Sequence, residues 1–246
     1  MNILITNDDG IESPSLMLLF KKLNLLGNVF VVVPDREMSG SSHSITLTRP
    51  LRLKKIEKNI YTLDGTPADC VSTTLLGGLN IKKIDLVISG VNKGPNLSED
   101  VFYSGTVAGA REGALSGIPA ISISLDSLDD NSDFSFSVQF LFDFLKKNDI
   151  QSLPLLNINI PNLKSNEIKG FKLTHLGQRR YRDVLIKRKD PWDNSYFWLK
   201  GQGIDYKKES NSDYNELKNG YVSITPLNLD LTHYNILEKL KKDLVI

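Results

Sequence analysis

Cysteine occurs once, at Cys70, in a chain of 246 residues. One thiol excludes an intramolecular disulfide and any zinc site needing two thiolates, and it fits a reducing compartment, so a cytoplasmic protein is expected. A lone cysteine is more often a small packing group than a nucleophile. An excess of charge is also missing. Thirty Lys and Arg face 29 Asp and Glu, a formal net charge of +1, which argues against a protein built to coat a nucleic-acid duplex or an anionic membrane. No stretch approaches the roughly 18 apolar residues of a membrane span. The first apolar run, Ile3-Leu4-Ile5, has no basic leader and stops at Asp8-Asp9, so it does not read as a signal peptide. Internal repeats and low-complexity tracts are absent. What is present is ordinary globular composition, 40% hydrophobic and 24% charged, in a length suited to one large domain or a core with an appendage.

The first half alternates short β-rich runs with helical patterns. Residues 2–6 and 28–33 are continuous apolar runs, as expected of strands buried on both faces. Between them Leu16, Leu18, Leu19, Leu23 and Leu26 repeat at helical spacing, with Pro14 just inside the start and Gly27 just past the end. Residues 85–89 and 118–124 read as two more parallel strands, joined by a helix over about 104–116; another helix covers about 66–76. Residues 48–63 suggest a pair of strands or a hairpin, 134–147 an amphipathic helix and 155–160 a strand. This rhythm predicts an α/β fold, a Rossmann-like doubly wound, mostly parallel sheet with ligands at the carboxyl ends of its strands. Residues 165–220 change character and read as an irregular, β-rich extension with hairpins. A returning strand at 220–226 and a closing helix at 237–244 follow. The expected division is therefore 1–160 as an α/β catalytic core and 161–246 as a β-rich extension. Trp192, Tyr196, Phe197 and Trp198 make an arm too apolar to leave in water, so the extension is expected to serve oligomerisation.

The sharpest motif is Asn7-Asp8-Asp9-Gly10, directly after the first strand. Adjacent carboxylates repel each other where this fold class places its ligands, and a hard divalent cation such as magnesium or manganese would supply the missing charge. The plain alternative is a surface turn. After the second strand, Ser39-Gly40-Ser41-Ser42-His43-Ser44 offers a serine oxygen to a metal or amides to an anion, or is simply a flexible loop. Ser89-Gly90-Val91-Asn92-Lys93-Gly94-Pro95-Asn96 follows a third strand, and Asn92 and Asn96 carry groups suited to either metal or phosphate. Tyr103-Ser104-Gly105-Thr106 opens a helix whose first turn is a ready phosphate site; the competing reading is N-capping by Ser104. Neither a Walker loop nor a dinucleotide fingerprint is present.

These residues resemble the SurE-type survival proteins, which are 5′/3′-nucleotidases. The similarity is carried by Ile5-Thr6-Asn7-Asp8-Asp9-Gly10, Pro34-Asp35-Arg36 with Ser39-Gly40, and Gly65-Thr66-Pro67-Ala68-Asp69-Cys70-Val71. It continues through Ser89-Gly90-Val91-Asn92, Tyr103-Ser104-Gly105-Thr106-Val107 and Gly220–Leu227 with Asp230-Leu231-Thr232. Two departures stand out, Ser15 after Pro14 and Ser98 after Leu97, where glycine is common. The resemblance implies a metal-dependent phosphomonoester hydrolase acting on nucleoside 5′- and 3′-monophosphates by attack of a metal-activated water. Carried over, the metal ligands would be Asp8, Asp9, Ser39 and Asn92, holding one magnesium or manganese ion per subunit. Asp8 and Asp9 would also be the catalytic pair, and Asn96, Ser104, Gly105 and Thr106 would bind phosphate. The resemblance further implies a homodimer or homotetramer.

The residues themselves favour Asp9 as the acceptor of the water's proton and Asp8 as the firmer ligand. Zinc is disfavoured because no Cys or His stands among these ligands. Aromatics within 181–206 offer a stacking wall for a base, although packing is their commoner role. A haloacid-dehalogenase-type phosphatase needs a second Asp where Gly10 stands. A receiver module needs an Asp closing the third strand, where Ser89-Gly90 stand. A non-catalytic nucleotide sensor is the open alternative.

Overall fold

The computed structural model describes residues 1–129 and 131–244, with the backbone alone for 179–183 and 200–206. In chain order the first elements are β1 (Asn2–Thr6), α1 (Leu16–Leu23), β2 (Asn28–Pro34), β3 (Leu53–Glu57), β4 (Ile60–Leu63), α2 (Pro67–Thr73) and β5 (Leu86–Lys93). Then come α3 (Asp100–Tyr103), α4 (Gly105–Leu115), β6 (Ala120–Leu125), α5 (Ser135–Lys147), β7 (Leu155–Ile160) and β8 (Phe171–Leu173). The chain closes with β9 (Arg179–Lys189), β10 (Ser195–Tyr206), α6 (Asp213–Lys218), β11 (Val222–Leu227) and α7 (Tyr234–Asp243).

Nine strands form one sheet in the order β3-β4-β2-β1-β5-β6-β7-β11-β8. From β4 to β7 every neighbouring pair is parallel, while β3 and β11 run antiparallel to β4 and β7. The expected doubly wound α/β sheet is what forms. Strand alternation divides the core between its two faces. Ile3, Ile5, Val31, Val33 and Ile88 join Leu16 and Leu19 of α1 and Leu141 of α5 on one side. Leu4, Val32 and Val87 join Cys70 and Val71 of α2 and Ala110 of α4 on the other. Cys70 is buried there, and burial raises its thiol pKa well above the ordinary value, so it packs and is not a nucleophile.

Several elements differ from the sequence expectation. The helix expected over 66–76 ends at Thr73 and passes into a wider π turn at Thr74–Gly78. The one-turn helix α3 and the short polar helix α6 carry too few apolar positions to show a period. The closing helix begins at Tyr234, three residues early, with the His233 side chain accepting from the Ile236 amide. Residues 161–246 are also not wholly an appendage: β11 and β8 complete the main sheet beyond β7, so a boundary at 160 runs through one sheet. The part that stands apart is the β9–β10 hairpin, a separate two-stranded sheet.

Candidate active site

Strand order reverses at β1: the chain leaves it on one side through β2 and returns on the other through β5. Open α/β sheets bind ligands in the crevice outside that point. Asp8-Asp9 follow β1, and Asn92–Asn96 span the end of β5 and the loop beyond it, so the topology brings the two motifs together. A cleft of about 850 Å³ opens there, bordered by Asp8, Ser39, Asn92, Asn96, Tyr103 and Ser104.

The acid pair sits on a closed turn. The Asn7 side chain donates to the Gly10 carbonyl at 2.9 Å and accepts from the Gly10 amide at 3.0 Å, which closes the turn that carries Asp8 and Asp9. Asp8 is buried. Its carboxylate accepts from the Thr106 hydroxyl and, at 3.1 Å, from the Thr106 amide. Burial pushes the Asp8 carboxyl above its usual range, against the pull of those two donors. Asp9 is raised to about 6, by burial first and then by the charge of Asp8, while an amide bond from Lys93 and the Lys93 charge act the other way. Its Oδ2 is buried without a hydrogen-bond partner among the described residues. Two adjacent, desolvated carboxylates with an unpartnered oxygen are the environment a cation relieves.

The loop after β2 is fastened over this pair. Met38 donates its amide to the Asp8 carbonyl at 2.7 Å, and Ser42 bonds the Tyr103 and Phe102 carbonyls through its amide and hydroxyl. Ser39 lies on the cleft's edge with its hydroxyl donated to Glu37 at 2.8 Å. Asn92 donates to the Gly94 carbonyl at 2.7 Å, which leaves its side-chain oxygen as the group able to meet a cation. Gly90 lies just upstream at φ +128°, where an added Cβ would stand 2.2 Å from the Ile123 carbonyl oxygen. Only glycine lets β5 pass so close to β6 on its way to Asn92.

The residues proposed for phosphate fall into two groups. Ser104 caps α4, accepting from the Val107 amide at 3.0 Å, and borders the cleft. Gly105 keeps that turn near the acid pair, since a Cβ there would lie 2.9 Å from the Asp8 Cβ and 2.8 Å from the Ser41 Oγ. Thr106 and Asn96 already have protein partners, and Asn96 also borders the cleft. Thr106 is fully buried and spends its hydroxyl on Asp8, and the Asn96 amide group donates to Ser124 Oγ at 2.9 Å. Asn96 is held by Asn157 and Asn159 as well. In this arrangement Thr106 orients a carboxylate and Asn96 sets its loop.

Sequence reasoning passed over Ser41 and Glu37. Ser41 Oγ is buried beside Gly105 with no partner among the described residues; the hydroxyl-rich loop was legible, but not which of its serines turns inward. Glu37 bonds Ser39, and its charge raises both aspartates. Among the described residues, no group of three or more His, Cys, Asp and Glu side chains is arranged to hold a metal. A cation here would draw on two carboxylates and neutral oxygens, a hard donor set suited to magnesium or manganese.

A family model described as Survival protein SurE matches residues 3–183. The chain belongs to the SurE family. Relatives agree over nearly the whole length: the 5′-nucleotidase SurE of Aquifex aeolicus is 45% identical across 97% of this chain and 96% of that one. The protein of the same name from Kosmotoga olearia is 44% identical across 99% and 98%. The crystal structure of the SurE protein from Aquifex aeolicus superposes with a TM-score of 0.86 at 44% identity, covering 98% of this chain. The SurE fold thus extends through the β-rich C-terminal region.

Proposed function

We propose that this chain is a metal-dependent 5′-nucleotidase that hydrolyses nucleoside 5′-monophosphates, and 3′-monophosphates as a second class, to nucleoside and phosphate. The observation that carries the reading is the Asp8–Asp9 pair, two neighbouring carboxylates desolvated at the switch point of the sheet, one with a buried oxygen left unpartnered among the described residues. The names of the relatives point the same way. Asp8, Asp9, Ser39 and Asn92 would hold one magnesium or manganese ion. Bound there, such an ion supplies charge neutralisation for the carboxylates, polarisation of a phosphoryl oxygen and a lowered pKa for water.

The chain's own residues do the rest. Thr106 fixes Asp8 through two hydrogen bonds and makes it the firmer ligand. Asp9, whose Oδ2 has no partner among the described residues, takes the proton of the attacking water. Ser104 and Gly105 place the start of α4 beside the cleft, where its dipole favours a phosphate, and Asn96 borders the same cleft. Water adds to phosphorus, the ester oxygen leaves with a proton, and nucleoside and phosphate are the two products. Trp192 and Trp198, 80% and 63% exposed, together with the unburied apolar face of α7, support a homodimer or homotetramer joined through residues 165–246. The setting proposed for it is the cytoplasm; among the described residues no helix is long and apolar enough to cross a membrane.

Turnover of a nucleoside 5′-monophosphate with manganese supplied tests this reading. Release of phosphate and nucleoside in equal amounts is the expected result. Binding without release would make the chain a nucleotide sensor instead.

A further inference from the structure

The cleft does not end at the acid pair. Along the carboxyl edge of the sheet it runs from Asp8 after β1, past the loop after β5, to Asp126 and Leu128 after β6, and then to Tyr214 and Lys218 on α6. Two strand spacings separate β1 from β6, about 10 Å, and α6 lies beyond. That far end is too distant for a phosphate held beside Asp8, yet it is built from several elements fixed to one another.

Asp213 is fully buried, and its carboxylate accepts from the amides of Ser98, Gly177 and Tyr214 at 2.7–2.8 Å. The start of α6 is thereby tied directly to the loop that carries Asn96. At the other end of α6, Lys218 Nζ lies 2.9 Å from Asp126 Oδ2 and 5.8 Å from the Tyr214 ring. Leu128 leans over Gly94, its Cδ2 only 3.0 Å from where a Cβ would stand, and is nevertheless 78% exposed. An aromatic ring and a branched aliphatic chain therefore border the cleft beside a carboxylate–ammonium pair. A flat, largely apolar ring system with hydrogen-bonding edges matches that combination: the faces meet Tyr214 and Leu128, and the edges meet Asp126 and Lys218.

We propose that Leu128, Tyr214 and the Asp126–Lys218 pair form the nucleoside end of the substrate cleft and give the enzyme its preference for nucleotides over simple sugar phosphates. This rests on the nucleotidase reading above and adds to it where the base is recognised. The aromatics expected to form a stacking wall, residues 181–206, are not this wall. Trp192, Tyr196, Phe197 and Trp198 lie on the separate hairpin and do not border the cleft, and the side chains of Tyr181 and Tyr206 lie outside the described residues.

The test compares kcat/KM for a nucleoside 5′-monophosphate with kcat/KM for ribose 5-phosphate, which keeps the ester and the sugar but lacks the base. Tyr214→Ala and Leu128→Ala should each lower that ratio, Tyr214→Ala by about ten-fold or more, the scale of a lost base–aromatic stack. Tyr214→Phe, which retains the ring, should keep the ratio, as should Leu76→Ala at an exposed leucine away from the cleft. Ratios within two-fold of the parent in both alanine variants would overturn the assignment while leaving the nucleotidase reading intact. A parent protein that hydrolyses ribose 5-phosphate but no nucleoside monophosphate would overturn both.

Discussion

Thr106 gives its hydroxyl and its amide to Asp8, so its substitution bears on the metal site before it bears on phosphate. Thr106→Val keeps the volume and removes the hydroxyl donor from a buried carboxylate. The expected outcome is manganese binding weakened several-fold in a calorimetric titration, with a loss of about 1–3 kcal/mol in stability. Unchanged metal affinity, with only KM for substrate altered, would return Thr106 to direct phosphate binding. Asp9 bears on stability in the opposite sense. Its pKa is about 6 in the fold against roughly 4 in an unfolded chain. An acid raised on folding takes up a proton between those two values, so its cost to the metal-free fold is absent below about pH 4 and full above about pH 6. Asp9→Asn should therefore stabilise the chelated protein at about pH 7.5, by on the order of 1 kcal/mol after allowance for solvent screening, and the gain should vanish near pH 4. Thermal melts at the two pH values check this, and a variant less stable than its parent at the higher pH contradicts it. Residue identity made Asp8 and Asp9 visible in the sequence because two carboxylates side by side need an explanation. Nothing local marked Ser41 or the inward turn of Thr106, since which hydroxyl meets which carboxylate is decided by how α4 packs against β5, β6 and α2.

Among the elements, α2 shows how a helix start can govern a loop. Asp69 completes a capping box with Thr66 and also accepts from the amide and hydroxyl of Thr46 at 2.9 and 2.6 Å. The loop that carries Ser39 is thus anchored at its far end by the carboxylate that caps α2, while His43 reaches Glu112 on α4 at 2.8 Å. Asp69→Ala should cost about 2–4 kcal/mol, combining a lost cap with donors left unsatisfied. It should also make residues 39–46 more susceptible to limited proteolysis. A protein equally stable and equally resistant would show that the loop is held by other contacts. The long elements were legible from continuous apolar runs in the strands, helical spacing in α5 and the strand–helix–strand rhythm around α4: β1, β2, β7, α4 and α5 lie within a residue or so of the expected places. The short polar ones were not. α6 reads Asp-Tyr-Asn-Glu-Leu-Lys, a sequence without period, and it becomes a helix through Ser212 capping and the Asp213 network.

At the scale of the whole molecule, the sheet order places the site. Neither the β1 motif nor the β5 motif would suffice alone, and only the reversal at β1 makes them neighbours. Alternating βαβ units announced that arrangement in the sequence, whereas the antiparallel return of β11 onto β7 depends on pairing across more than 60 residues and left no local signal. The exposed hairpin aromatics and the apolar face of α7 belong to this scale too. Light scattering at micromolar concentration should report a dimer or a larger assembly, and a monomer would contradict the proposed role of residues 165–246. The central claim is that the desolvated Asp8–Asp9 pair works as a metal site for phosphate ester hydrolysis. Its most direct test is manganese titration into chelated, verified metal-free protein while phosphate release from a nucleoside 5′-monophosphate is followed. The account predicts no turnover at the start and a rise that saturates with one ion bound per chain. Full turnover before any metal is added would contradict it.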